Sequence, residues 1–352
     1  MRLMICAPDI FTGDAVGNHC LGLARVAERL GFEVEVYAQR FDDFTGVVDL
    51  DRLFERINAD DLLLVSYSIV DPYLDRLRAL PCKKICYFHG VTPAELLREF
   101  EPVTADLCAA SVQQFGALKS FEPIVANSAF TASSLPADVN TPTLRVIPPV
   151  FPDMAAFQAP AIARRAASGQ TGNAHDILTV GRVVPHKRIE DAIDIVAALR
   201  GAGIDASLSV VGSSTNLPYM QFLAAHADKL GVSAHIRHLG MVDNDTLIRC
   251  FHEASALISV SAHEGFCVPI LEAMNMGLAC FAREGTAGAE VCVPDARLPL
   301  DNALAARRIL GYLSDRKRLD DLVDAGSKRA SMILQSAADT AWKDVFDAPF
   351  AH

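Results

Sequence analysis

Four charged residues in the second half of the chain have types and neighbours that suit a ligand carrying both phosphates and hydroxyls. Glu264 and Glu272 lie within Ser259–Phe281. The run Ala256–Val260 before them is short, apolar and β-branched, the pattern of a buried strand. Pro269 suits the first turn of a helix, because its missing N–H has no intrahelical partner there. The stretch therefore predicts a strand, a short loop with Glu264 and Gly265, and a helix from about Pro269 to Asn275 stopped at Gly277. Free N–H groups at such a helix start favour an anion. A solvated loop glutamate and an ordinary first-turn glutamate would carry the same signature. Arg182 and Lys187 lie in Val180-Gly181-Arg182-Val183-Val184-Pro185-His186-Lys187-Arg188, where a strand empties into a loop before a helix. Arginine binds a phosphate bidentately and lysine as a point charge, so two cations near one sheet edge suit a diphosphate.

The elements that must position these residues alternate. Strands are predicted at 3–7, 33–38, 62–66, 84–88, 124–126 and 144–147. Helices are predicted at 18–30, 50–57, 72–80, 93–99, 103–119 and 129–135. A proline-, alanine- and glycine-rich segment, 151–174, breaks the rhythm and reads as a connection. Alternation restarts with strands at 177–180, 207–211, 236–239, 256–260 and 278–281. Helices lie between and after them, and the last segment, 335–346, holds the sole tryptophan, Trp342. The expected fold class is α/β, with two doubly wound Rossmann-like domains facing across a cleft. Residues 1–150 form the first domain, 175–334 the second, and 335–352 a C-terminal segment. Ligands of such sheets bind outside the carboxyl ends of the strands.

Other candidates sit at predicted strand ends. Gly13 and Gly17 flank a turn that opens the first helix; the spacing is neither a dinucleotide fingerprint nor a P-loop. His89, after the strand 84–88, suits a hydroxyl contact or a proton transfer. Gly212, and Met241 with Val242 after Gly240, end two strands of the second domain and can offer backbone groups to a base. The run Gly285–Glu290 reads as a further phosphate-side loop.

Composition excludes several classes. The 352 residues are 51% apolar with a net charge of -11, which fits two large cores and not a nucleic-acid binder. Nine scattered cysteines make no disulfide framework, and Cys82 and Cys86 lack a second pair at zinc spacing, so no metal site is expected. No apolar run reaches about 18 residues and the chain opens on a strand pattern; a cytoplasmic setting is expected, with peripheral attachment at the inner face of a membrane left open. Arg76, Arg78, Lys83 and Lys84 form one local basic cluster.

Taken in order, these residues resemble the family 4 retaining glycosyltransferases of the GT-B fold. The second half carries the resemblance: Val180-Gly181-Arg182 with Lys187, Val211-Gly212, Leu239-Gly240, and Glu264-Gly265-Phe266 with Pro269, Leu271, Glu272 and Gly277. The first half matches more loosely, through Gly13–Gly17, Phe88-His89-Gly90 and Asn127-Ser128-Ala129-Phe130-Thr131. The resemblance implies that Arg182 and Lys187 hold the donor diphosphate and stabilise leaving-group charge. Glu264 would meet the donor sugar hydroxyls, with backbone N–H groups of Gly265, Phe266, Cys267 and Val268 near the sugar and phosphates. Glu272 would bind the ribose, His89 would lie beside the anomeric carbon, and Gly13 and Gly17 would line the phosphate side. The segment around Trp342 would pack back on the first domain. Two departures stand out: Asp14 lies between the glycines of the first loop, and the later loop reads Gly288-Ala289-Glu290.

The resemblance implies transfer of a hexosyl group, mannosyl or glucosyl, from a GDP- or UDP-linked sugar to a glycan or lipid-linked glycan, with retention and without a metal or other cofactor. A non-catalytic nucleotide-sugar-binding subunit, a nucleotide-sugar epimerase and a phosphorylase are the competing readings. No nucleic-acid partner is expected; oligomeric state and acceptor are open.

Overall fold

In the computed structural model, residues 1–140, 142–150 and 174–350 are described. The connection expected over 151–174 lies outside them except for Ala174, which opens a strand. The chain divides into two units. Unit 1 holds Met1–Ala94, Asp106–Asp153 and Ile333–His352; unit 2 holds Glu95–Ala105 and Met154–Met332.

Unit 1 contains strands β1 (Arg2–Ile10), β2 (Glu33–Phe41), β3 (Val48–Asp49), β4 (Leu62–Tyr67), β5 (Lys83–Phe88), β6 (Ile124–Ala126) and β7 (Arg145–Val146). They pair in the order β3-β2-β1-β4-β5-β6-β7, and every pairing is parallel. All six residues of β4 are buried, as a central strand covered on both faces requires. Unit 2 contains β8 (Ala174–Val180), β9 (Asp205–Val211), β10 (Ile236–Gly240), β11 (Ala256–Ser259), β12 (Cys280–Arg283) and β13 (Arg297–Leu298). Their order is β10-β9-β8-β11-β12-β13, again all parallel. The order reverses between β1 and β4 in one sheet and between β8 and β11 in the other. Such a reversal splays the flanking loops and opens a crevice at the carboxyl ends.

The unit 1 core gathers Leu3, Ile5, Leu23, Leu64 and Tyr87 around Trp342 and Phe346 of the helix Asp339–Asp347. Arg29 pairs with Asp339 at 2.7 Å and fixes that helix at its start. Burying a tryptophan outweighs an exposed ion pair, about 3–5 kcal/mol against less than 1.

Several elements differ from the sequence expectation. The helix expected over 93–99 is one turn, Ala94–Leu96. The chain instead docks Phe100 against Tyr219 and Phe222, ring centroids 5.2 and 5.5 Å away, and Asn216 Nδ2 donates to the Phe100 carbonyl. This is why Glu95–Ala105 belongs to unit 2. The long helix expected over 103–119 stops at Gln114 and ends in a 3-10 turn, Phe115–Ser120. The strand expected at 278–281 is Cys280–Arg283, because Leu278 is used to cap a helix: its N–H reaches Ala273 O at 2.9 Å around Gly277 (φ 70°). The loop expected over 285–290 contains a short helix, Ala287–Val291, started by the Thr286 side chain. No helix among the described residues is long and apolar enough to cross a membrane.

Candidate active site

The carboxyl ends of β8 and β11, at the reversal point of unit 2, bring two of the four charged residues into contact. Lys187 follows β8 and Glu264 follows β11. Lys187 Nζ donates to both carboxylate oxygens of Glu264, at 2.8 Å each. Ser261 Oγ donates to Glu264 Oε1 at 2.7 Å. Ala262 N donates to His186 O at 2.8 Å, so the backbones of the two loops are clasped beside the ion pair. Glu264 is buried and Lys187 keeps about a fifth of its side chain open. A half-sheltered pair of this kind holds both charges in place without hiding the ammonium from a second anion.

Three glycine-bearing strand ends prepare this floor. Gly181 N donates to Val211 O and Gly212 N to Gly240 O, both at 2.9 Å, so β8, β9 and β10 are laced at their carboxyl ends. A Cβ on Gly212 would lie 2.0 Å from Gly181 O, which excludes every other residue. A Cβ on Gly181 would meet the Lys187 side chain at 3.6 Å, so Gly181 lies directly against the lysine. Arg182 is exposed and has no ion-pair partner among the described residues. Met241 and Val242 follow the edge strand β10, with the Met241 side chain 77% exposed.

Both loops enter their helices through a left-handed residue that is not glycine. Arg188 (φ 54°) precedes the helix Ile189–Gly201 and Cys267 (φ 76°) precedes the helix Val268–Asn275. Among the described residues these are the two non-glycine residues at positive φ. Arg188 is held there by Asp191, at 3.0 and 3.2 Å, and by Glu190 at 3.1 Å. Cys267 is buried with its thiol 3.4 Å from Ser259 Oγ, and burial pushes the thiol well up, so it is no nucleophile. Strain of this kind is retained where a loop must be aimed. Gly265 leads into this turn, and Phe266 and Cys267 turn their side chains into the core.

Glu272 lies one turn inside that second helix. It has no hydrogen-bond partner among the described residues, and burial pushes its carboxyl up to about 7. It is thus set apart from Glu264, whose carboxylate is fully engaged. Burial, first, and then Lys187 hold His263 down at about 4, against the opposing pull of Glu264. His186 is likewise held well below its usual value, by burial first, and its Nδ1 has no partner among the described residues.

Unit 1 presents a neutral strand end. His89 follows β5, and its Nε2 lies 2.7 Å from Ser66 Oγ at the end of β4. Burial pushes its imidazole down to about 3, so it is neutral at pH 7. Asn127 Nδ2 donates to His89 O at 3.0 Å, and Thr131 Oγ1 donates to Asn127 Oδ1 at 2.7 Å. His19 stacks on Tyr87 at 3.9 Å, and its Nδ1 accepts from Val150 N. Gly13 takes φ 80°, and a Cβ on Gly17 would lie 2.1 Å from Phe11 O. The Asp14 side chain caps the first helix through Gly17 N.

Residues 162–329 match the family of glycosyl transferases group 1. Over those residues the chain is similar to the group 1 glycosyl transferases. A GDP-mannose:cellobiosyl-diphosphopolyprenol alpha-mannosyltransferase of Komagataeibacter xylinus is 34% identical over 114 residues, which cover 32% of this chain and 28% of that protein. The match thus spans well under a third of that relative. The sucrose-phosphate synthase of Thermosynechococcus elongatus has a TM-score of 0.76 at 14% identity, with 100% of both chains covered. Anabaena HepE, solved in complex with UDP-glucose, has a TM-score of 0.69 at 14% identity, again covering 100% of both chains. The fold is GT-B, α/β with two parallel sheets.

Within residues 162–329, the sequence alone singles out Gly181, Arg182, Lys187, Gly212, Glu264 and Glu272 but not their support. Ser261, three residues before Glu264, carried a usable signal: a hydroxyl at that spacing faces back onto a loop carboxylate. Tyr219, whose hydroxyl accepts from Ile189 N at 3.1 Å and so anchors the helix after Lys187, carried none. Gly13, Gly17 and His89 belong to unit 1.

Proposed function

We propose that the protein is a metal-independent, retaining hexosyltransferase that moves a mannosyl or glucosyl group from a nucleotide-diphosphate sugar to a hydroxyl of a glycan or lipid-linked glycan. The Lys187–Glu264 pair at the carboxyl ends of β8 and β11 carries this reading. It places a cation suited to a diphosphate 2.8 Å from a carboxylate suited to sugar hydroxyls. Arg182 supplies a second cation, and the backbone entering the helix at Val268 supplies N–H donors. Glu272 is assigned to the ribose.

As the bond from the anomeric carbon to the phosphate oxygen breaks, negative charge grows on the diphosphate. Lys187 and Arg182 stabilise that charge; one preorganised donor in an oxyanion site is worth roughly 3–4 kcal/mol. The acceptor oxygen attacks the anomeric carbon on the face the diphosphate leaves, and its proton passes to the departing phosphate oxygen. His89 is neutral and suits a hydroxyl contact rather than a phosphate. GDP-mannose is the donor named for the K. xylinus relative and UDP-glucose the ligand of HepE, so both head the donor screen.

The test is a turnover screen of GDP-, UDP- and ADP-sugars with cellobiosyl and polyprenyl-diphosphate acceptors, run on wild type and Glu264→Ala. The expected result is transfer with one donor class, retention at the anomeric carbon by NMR, and a loss of at least about 100-fold in Glu264→Ala. Donor hydrolysis or isomerisation without transfer, or an active Glu264→Ala, would refute the assignment.

A further inference from the structure

We propose that unit 1 holds a second ligand site, for a small phosphorylated molecule, at the amino ends of β5, β6 and β7. A cavity of about 490 Å³ opens there, within the range of small-molecule sites. Three cations line it, Lys83, Lys84 and Arg145, against one carboxylate, Glu122. None of the three forms an ion pair with a carboxylate among the described residues, in a chain whose net charge is -11. Elsewhere in the same basic cluster the charges are spent: Arg76 reaches Asp51 and stacks on Phe54, and Arg78 reaches Asp75.

The geometry of the cations is preset. Lys84 Nζ donates to the carbonyls of Leu80 and Cys82, at 2.6 and 2.9 Å, which leaves one of its three N–H groups for a ligand. Arg145 is half-buried on β7, the edge of the sheet, where its planar fork suits two phosphate oxygens. Ser120 adds a hydroxyl, and Pro123, Pro142 and Pro349 form short rigid walls. Like charges brought together without a counter-charge repel, and a bound dianion would relieve that repulsion. A walled cavity with a proline rim fits a compact phosphate-bearing head better than an extended bilayer surface.

This site is at the opposite end of β5 from His89. Six residues of extended chain separate Lys83 from His89, about 20 Å. It is therefore not the candidate active site seen from another side, and it stands whether or not the transfer reading holds.

The test uses the full chain with Arg182→Ala and Lys187→Ala, which remove the unit 2 cations, and inorganic pyrophosphate as probe. Pyrophosphate should raise the melting temperature of that background saturably, by about 2 °C or more. Adding Lys83→Ser and Arg145→Ser should abolish the rise. Lys83→Ser alone, at an exposed position, should reduce it without changing the ligand-free melting temperature. No rise in the background, or a rise that survives loss of Lys83 and Arg145, overturns the proposal. Binding of phosphatidylglycerol vesicles through these same two residues, with no response to pyrophosphate, overturns it as well, because the ligand would then be a lipid surface.

Discussion

The two sheets are wound alike and end differently. At the carboxyl ends of unit 2, Arg182, Lys187, Glu264 and Glu272 bring charge to the reversal point, and two strained residues, Arg188 and Cys267, aim the loops that carry it. At the carboxyl ends of unit 1, the buried groups around His89 are neutral: His89 on Ser66, His19 on Tyr87, and Asn127 under His89. The same topology thus offers one end suited to phosphates and one suited to hydroxyls. The difference lies in a handful of loop residues, because parallel strands of either sheet deliver whatever follows them to the same edge.

The contrast is broken most directly at Lys187. Lys187→Ala should weaken nucleoside diphosphate affinity by about 100-fold or more by calorimetry, while His89→Ala should leave that affinity within about twofold. Equal losses would mean that charge does not separate the two ends. A second effect concerns their glycines. Gly212→Ala and Gly17→Ala each force a Cβ to about 2 Å from a carbonyl oxygen, so each should cost about 2–4 kcal/mol in denaturant unfolding. Gly212→Ala should also impair diphosphate binding, because its backbone abuts Gly181 beside Lys187. Diphosphate binding left intact in Gly212→Ala would detach that floor from the site.

Glu272 sharpens the contrast through pH. Its carboxyl is raised to about 7, so the folded state disfavours the charged form. Its contribution to stability is full below the unfolded value near 4.5 and is lost as pH rises through about 7. Glu272→Gln should therefore gain stability relative to wild type above pH 7, by at most on the order of 3 kcal/mol. A ribose hydroxyl is bound best by the carboxylate, so nucleotide affinity should rise several-fold from pH 6 to 8 in wild type and less in Glu272→Gln. A parallel rise in both would remove Glu272 from the ribose.

The smallest effect tests the strained caps. Arg188→Gly removes the left-handed strain together with the ion pairs, whereas Arg188→Ala keeps the strain and loses the pairs. The glycine variant should be the more stable by about 1 kcal/mol. If alanine equals glycine in thermal unfolding, the position is not strained.

The pattern of strands and helices was legible because apolar runs and proline and glycine punctuation report backbone periods directly. The contact between Lys187 and Glu264 was not, since 77 residues separate them and it is the pairing of β8 with β11 that brings their loops together. Both residues stand out in the sequence by type, but their mutual contact does not, because the sequence suggests a separate ligand for each. Arg188 and Cys267 were illegible for a different reason. Left-handed turns are signalled by glycine, and here an arginine and a cysteine occupy them. The docking of Phe100 on Tyr219 also escaped, because a lone aromatic in a loop does not declare which core it serves. Trp342 was easier: the single tryptophan on an amphipathic last helix has to be buried somewhere.

In the proposed function, the charged end of unit 2 binds a nucleotide-diphosphate sugar through Lys187 and Glu264. Isothermal titration of GDP-mannose and UDP-glucose into wild type, Lys187→Ala and Glu264→Ala tests it most directly. Saturable binding of one donor to wild type is expected, weakened about 100-fold in Lys187→Ala and substantially in Glu264→Ala. Binding of neither donor, or equal affinity in all three proteins, would contradict it.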